Sequence, residues 1–248
     1  MLKGIDVSSW NGNPFNGTTE SGYNRSDFVI AKATQGFTYV NPACDYAIQR
    51  CIADGKLWGF YHYAEGHEPE QEAQFFYDNC KGYIGEGIPA LDWEQEQNNA
   101  FGDSTWCRRF VDKFHALSGV WPLIYTGRYV IPQVANCASD CGLWLAEWGV
   151  SSPGDCSPWE TFTIWQWTSN NGSLDENYAN LDAESWMKIA RGDDAQPEPT
   201  PTPAPIEDDP ITVIARDVIA GKYGNGKWRK ENLYDTVQAR VNELLENA

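Results

Sequence analysis

Short apolar runs recur along the first 190 residues of the chain, at 3–10 (KGIDVSSW), 28–34 (FVIAKAT), 57–63 (LWGFYHY), 87–94 (GIPALDWE), 121–126 (WPLIYT), 143–148 (LWLAEW) and 162–168 (FTIWQWT). Each is rich in β-branched and aromatic residues and is bounded by Gly, Pro or polar residues, the pattern of a strand. Between the early runs, residues 41–54 (NPACDYAIQRCIAD) and 68–83 carry apolar positions at helical spacing and stop at a Gly or a turn. Strand alternating with helix argues for a parallel sheet. Several runs are apolar on both faces, as a strand must be when helices cover one side and packed side chains fill the other. About eight such units in this length fit a closed α/β barrel, with the connections 127–142 and 149–161 too short for full helices.

Acids interrupt this pattern in two places. Asp6 stands between Ile5 and Val7, and the run IPAL leads straight into Asp92 and Glu94. Side chains alternate faces along a strand, so Asp92 and Glu94 point the same way, at a strand end where only water, metal or substrate justifies them. In barrels of this kind the chemistry gathers at the C-terminal ends of the strands. Asp6, Asp92 and Glu94 are all expected at such ends.

Composition narrows the partners. The net charge of −17 is spread over the chain, so nucleic acid is not expected, because phosphate binding needs clustered Lys and Arg. No stretch approaches the ~20 apolar residues of a membrane span. The start, MLKGIDVSSW, has no run long enough for a signal peptide, so export would depend on other factors. The seven cysteines contain no CxxC pair, and the three histidines lie far from Cys137, Cys141 and Cys156. They read as buried thiols with at most one disulfide, and no motif implies a metal or an organic cofactor. Twelve Trp and twelve Tyr in an acidic chain suggest a neutral, ring-shaped ligand.

The organisation is modular. Residues 1–194 make the barrel domain, and 195–205 (AQPEPTPTPAP) form an extended spacer that has no large apolar residue with which to build a core. Residues 206–248 open with Asp209 as N-cap and Pro210 at the first helical position, continue through ITVIARDVIA to Gly221, and end on a stripe of Val237, Val241, Leu244 and Leu245. Three short helices of marginal core are expected there.

In order along the chain, GIDVSSWNG (4–12), FVIAKATQG (28–36), GFYHYA (59–64), PALDWE (89–94), PLIYTG (122–127) and IWQWT (164–168) resemble the glycoside hydrolase family 25 lysozymes. The resemblance implies a barrel of five β/α units followed by three strands, (βα)5β3, and cleavage of the β-1,4 bond between N-acetylmuramic acid and N-acetylglucosamine in bacterial peptidoglycan. It also implies four acids: Asp6, Asp92, Glu94 and an Asp in the last strand, for which the family's late pattern favours Asp182, after Asn180 and Leu181, over Asp175. Glu94 is expected to be the general acid, its pKa raised by crowding from Asp92 and Asp6. Asp92 should orient the 2-acetamido group or stabilise charge, Asp182 should position water or stabilise the cation, and Asp6 should tune its neighbours. The family further implies retention of configuration through the substrate's own acetamido group. Tyr61, Tyr63, Tyr125, Trp144 and Trp148 are candidates for stacking on sugars, and Gln166, between Trp165 and Trp167, for a polar contact.

The tail, 214–245, resembles the cell-wall-binding repeat CW_7, which implies wall contact through Arg216, Tyr223, Gly224, Asn225, Gly226 and Arg229. A single copy forgoes the avidity of linked copies. Met187, just before the spacer, would as a second translation start release free binding modules able to associate with the full chain. The reading is a phage endolysin made in the host cytoplasm, reaching the wall after holin-type release or lysis. A host autolysin with the same chemistry and a non-catalytic wall-binding barrel are the alternatives, and four intact acids speak against the second.

Overall fold

The computed structural model describes residues 1–192, so the spacer, the helices expected in the tail and the wall-contact residues expected between Arg216 and Arg229 lie outside the described residues. The elements are β1 (Leu2–Val7), α1 (Gly17–Arg25), β2 (Phe28–Gln35), β3 (Tyr39–Val40), α2 (Cys44–Asp54), β4 (Leu57–Tyr63), α3 (Pro69–Cys80), β5 (Ile88–Asp92), α4 (Trp106–Ser118), β6 (Leu123–Gly127), α5 (Ile131–Val134), β7 (Leu143–Ala146), β8 (Ile164–Thr168), β9 (Asp175–Ala179) and α6 (Ala183–Arg191). Local chemistry sets several boundaries. Asn16 caps α1 by accepting the Thr19 amide at 3.0 Å, and α2 and α4 stop at Gly55 and Gly119 in left-handed backbone.

The strands close a barrel in the order β1, β2, β4, β5, β6, β7, β8, β9 and back to β1, with β3 as a two-residue hairpin outside the ring. All pairings from β1 round to β8 are parallel, whereas β9 runs antiparallel to both β8 and β1. Each of the first five barrel strands is followed by a helix that leads to the next, β7 and β8 are not, and α6 comes after the last strand, the expected (βα)5β3 arrangement with one terminal helix added. The 127–142 connection holds only the one-turn α5 between 3-10 turns, and 149–161 holds no helix.

Strands buried on both faces produce two cores. Outward residues such as Val29, Phe60, Leu91, Ile124 and Leu145 pack under α1 to α4 with Tyr23, Ile48, Phe76, Phe110 and Phe114. Inward residues Phe28, Ile30, Ile88, Ala90, Leu123, Trp144, Ile164 and Ala179 fill the lumen. Gly4 serves this second core, because a Cβ there would stand 2.3 Å from the Phe28 ring. All seven cysteines are buried thiols. Met187, on α6, packs against the lumen cluster.

The bottom of the barrel is closed by α6. Its Trp186 is fully buried, lies 4.8 Å from the Phe28 ring, and donates from Nε1 to the Trp58 carbonyl at 3.2 Å. Trp186→Ala is expected to cost about 3–5 kcal/mol, the range for truncating a large core aromatic, measured by urea unfolding. A loss below about 1 kcal/mol would mean that α6 does not hold the lumen.

Candidate active site

At the C-terminal rim a cleft of about 270 Å³ is lined by Asp6, Ser8, Trp10, Lys32, Tyr61, Tyr63, Asp92, Glu94, Tyr125, Trp144, Trp148, Gln166 and Asp175. Three of the four expected acids meet here, and the fourth is a different residue. Asp182 N-caps α6, where its carboxylate accepts the Ser185 amide at 2.8 Å, is exposed, and has a pKa held below the usual range by that bond. Asp175 takes the place expected for Asp182.

The direction of β9 is the reason. Because β9 is antiparallel, its first residue lies at the same rim as the C-terminal ends of its neighbours, and Asp175 pairs with Asp6. Ala179 pairs with Leu2, so the strand has by then travelled about 13 Å toward the opposite end, and Asp182 follows beyond it. The segment Asp175–Ala179 (DENYA) escapes recognition as a strand since two of its inward positions, Asp175 and Asn177, are polar.

Asp6 is held by amides. Its Oδ2 accepts from Gln166 Nε2 at 3.0 Å and from Asn177 Nδ2 at 2.7 Å. Those amides are themselves oriented: Tyr125 Oη and Trp148 Nε1 donate to Gln166 Oε1 at 2.9 and 3.0 Å, and Trp144 Nε1 donates to Asn177 Oδ1 at 2.8 Å. Burial, then the charge of Asp175, lifts the Asp6 pKa to about 8 against the pull of these bonds. Gln166 is thus a buried polar group of the cleft with every partner supplied by the barrel.

Asp92 ends β5, and Glu94 lies two residues past it. Trp93, between them, turns outward to stack on Trp106 at 5.1 Å and donates to Gln133 Oε1 at 3.0 Å. The loop carrying Glu94 is tied at its carbonyls: Thr126 donates to Trp93 O at 2.9 Å, Asn98 Nδ2 to Glu94 O at 2.9 Å, and Tyr63 Oη to Glu96 O at 2.5 Å. A residue outside the sheet is thereby fixed nearly as firmly as one within it. Asp92 Oδ1 is buried without a hydrogen-bond partner.

Every acid in the cleft binds its proton more tightly than in water. Burial, followed by the charge of Glu94, pushes Asp92 well above the carboxylate range, with Lys32 opposing. Glu94 is raised by burial, pulled back by the Tyr125 hydroxyl, and raised again by Asp6. Asp175 is lifted to about 6 by burial and Glu94. Lys32 is the one cation among the lining residues; burial lowers its pKa while Asp92, Glu65 and Glu94 sustain its charge.

The expected sugar-stacking residues divide by exposure. Tyr61 and Tyr125 are buried, Tyr63 is half-buried, and Trp148 is 54% exposed. Trp144 is 1% exposed, T-shaped against Tyr125 at 4.7 Å, and cannot offer a face to a sugar. It belongs to the filled interior layer and acts on the site through Asn177. Lys32, Asn177, Ser8 and Trp10 were not anticipated from sequence. Asn177 lies on the unrecognised strand, and Trp10, expected at the end of the first strand-like run, lies instead past the end of β1 in the 3-10 turn Ser9–Asn11.

The family model described as Glycosyl hydrolases family 25 matches residues 5–176, and that of the CW_7 repeat matches residues 213–245. The chain is 30% identical to the autolytic lysozyme of Clostridium acetobutylicum over 75% of its own length and 56% of that relative, so it spans little more than half of it. It is 27% identical to the lysozyme of Streptococcus phage Cp-7, over 97% of this chain and 69% of that one. Its fold is similar to the structure of a muramidase from Trichobolus zukalii, with a TM-score of 0.66 and 28% identity over 77% of this chain and 100% of the other.

Two outcomes follow from this geometry. Asp175→Asn is expected to lower turnover about 10²-fold, by analogy with the loss of one charge-stabilising group, whereas Asp182→Asn, which still caps α6, leaves turnover unchanged. Equal turnover losses in the two variants would refute the placement of the fourth acid. The second concerns pH. Asp6 keeps its proton in the folded state up to about 8 but loses it near 3.8 when unfolded, so its contribution to stability is full below pH 3.8 and lost as pH rises toward 8. Asp6→Asn, which still accepts both amide bonds, should lose less stability than the wild type between pH 5 and 8, by on the order of a few kcal/mol, in urea titrations. Parallel losses in the two proteins would mean that Asp6 is ionised in the fold throughout.

Proposed function

The chain belongs to the glycosyl hydrolases of family 25, and from that premise we propose that it is a muramidase cutting the β-1,4 bond between N-acetylmuramic acid and N-acetylglucosamine in bacterial peptidoglycan. One observation carries the reading: Asp6, Asp92, Glu94 and Asp175 converge in a single aromatic-walled cleft. Glycoside cleavage passes through an oxocarbenium-like state, which needs a proton for the departing oxygen and negative charge near the sugar cation. A protein that only bound a neutral sugar would gain nothing from burying four carboxyl groups around it.

Glu94 is the general acid. Its raised pKa keeps the proton available, and its loop is clamped so that the carboxyl is already in place. Asp92 has an acceptor oxygen with no partner inside the protein, suited to the N–H of the substrate's 2-acetamido group. That contact would turn the acetamido oxygen toward the anomeric carbon and lead to retention by substrate assistance. Asp175, more exposed than Asp6 or Asp92, stabilises the developing cation or positions the incoming water. Asp6, locked by Gln166 and Asn177, positions the rim and tunes the other three through its protonation state.

The CW_7 segment supports delivery to the wall, with Arg216, Tyr223, Gly224, Asn225, Gly226 and Arg229 as the contact residues. The likeness to the phage Cp-7 lysozyme along nearly the whole chain favours an endolysin, released to the wall by a holin-type route or lysis. No helix among the described residues is long and apolar enough to cross a membrane.

The test is mass spectrometry of borohydride-reduced fragments released from purified peptidoglycan. The native protein should give reducing-end muramic acid, and Glu94→Gln should release about 10²- to 10⁴-fold less, the span expected for a lost general acid. Activity should fall on the alkaline side as Glu94 loses its proton. Binding without cleavage by the native protein would leave the wall-binding reading standing instead.

A further inference from the structure

We propose that Trp10, together with Tyr39, forms a sugar-binding subsite that extends the cleft past β1, with the indole as a stacking platform for one pyranose ring of the glycan strand. The proposal rests on the muramidase reading and adds to it a residue that positions the polymer away from the acids. Trp10 is 92% exposed and lines the same cleft as Asp6, Glu94 and Asp175. Leaving a tryptophan in water forfeits the burial free energy that normally decides where this residue goes.

The turn beneath the ring is tightly built. Ser8 Oγ accepts the Trp10 amide at 3.3 Å, Asn11 Oδ1 accepts the Ser8 amide at 2.8 Å, and the two form a reciprocal capping box. Asn11 also accepts from the Asn16 amide through its carbonyl at 2.9 Å. Gly12 closes the turn at φ +89°, where a Cβ would stand 2.6 Å from the Pro14 carbonyl oxygen. Any solvated residue at position 10 would satisfy this hydrogen bonding, since Trp10 contributes only its backbone. The indole therefore answers to something outside the fold, and the rigid turn presents it with little entropy left to lose on binding.

Tyr39 lies outside the lining but is tied to the same turn. This residue of β3 is 37% exposed, and its hydroxyl donates to Ser9 Oγ at 3.4 Å, joining the hairpin to the turn. Lys32 Nζ lies between the Tyr39 and Tyr63 rings, 5.9 and 4.4 Å from their centroids, and so connects this corner with the centre of the cleft. Across the acids, on the β7 side, Trp148 is the other exposed indole of the lining. Two open aromatic faces flanking the acids suit a polymer whose sugars carry apolar C–H faces. Exposure alone is not the criterion: Tyr129 is 95% exposed and lies outside the lining.

The measurement uses the full chain carrying Glu94→Gln, with peptide-free glycan strands from peptidoglycan as the probe and calorimetry as the readout. Adding Trp10→Ala should weaken binding about tenfold, Trp10→Tyr should restore most of it, and Tyr129→Ala should change nothing, as expected for one stacking contact. In the catalytically intact chain, Trp10→Ala should raise KM by a similar factor with little change in kcat, since the contact exists before and during bond breaking. Affinity unchanged by Trp10→Ala within about twofold, with native cleavage intact, would overturn the subsite alone. A loss that tyrosine does not restore, accompanied by a lower Tm, would assign Trp10 to the fold and overturn it as well. Failure of the Glu94→Gln chain to bind any glycan, with no cleavage by the native protein, would remove the muramidase reading and the subsite with it.

Discussion

A carboxylate buried at the rim of a closed barrel is the constraint around which the cleft is arranged. Asp6 has almost no access to water, so its charge and its geometry have to be managed by neighbours on other strands. Gln166 from β8 and Asn177 from β9 both donate to the same oxygen, and each amide is turned by an aromatic donor from β6, β7 or the loop after β7. The network consumes hydrogen-bonding groups from half the barrel. It fixes the strand register at the rim, while Asp92, which also lines the cleft, keeps one buried oxygen without a hydrogen-bond partner.

The remaining architecture can be understood as support for that arrangement. Alternation along each strand divides the side chains into an outer core under the helices and an inner core in the lumen, with the polar layer at one end of the latter. Trp93 shows the division within three residues: it turns outward into an aromatic stack while Asp92 and Glu94 turn inward. The same stack carries the loop that holds Glu94, so packing on the outside of the barrel controls the position of a carboxyl on the inside. Four acids and one cation in one cleft lower stability near neutral pH, and the filled lumen closed by α6 offsets that loss.

Aromatic residues occupy three different physical situations in this molecule. Trp144 and Trp186 are buried and act through their Nε1 donors; Trp148 is half open and held by Gln166; Trp10 is open and held only by its backbone. The sequence runs that contain them look alike, since periodicity reports which residues are apolar and not which face a ring turns to solvent.

Read alone, the sequence determined the barrel, its helix-poor second half, and the acids Asp6, Asp92 and Glu94, because each is recorded in local pattern: apolar strands, short connections, and carboxylates set into buried runs. The ordered motifs determined the family for the same reason. The tertiary structure decided which further aspartate joins them in the cleft, since Asp175 reaches the rim only through the direction of the strand that carries it, whereas Asp182 caps α6 beyond that strand's far end. An antiparallel β9 brings its beginning to the rim and takes its end away, and strand direction follows from which neighbours close the barrel. The partners of Asp6, the clamp on Glu94 and the exposure of Trp10 were decided at that level too, because each depends on side chains that are far apart in the chain and meet only when the sheet closes.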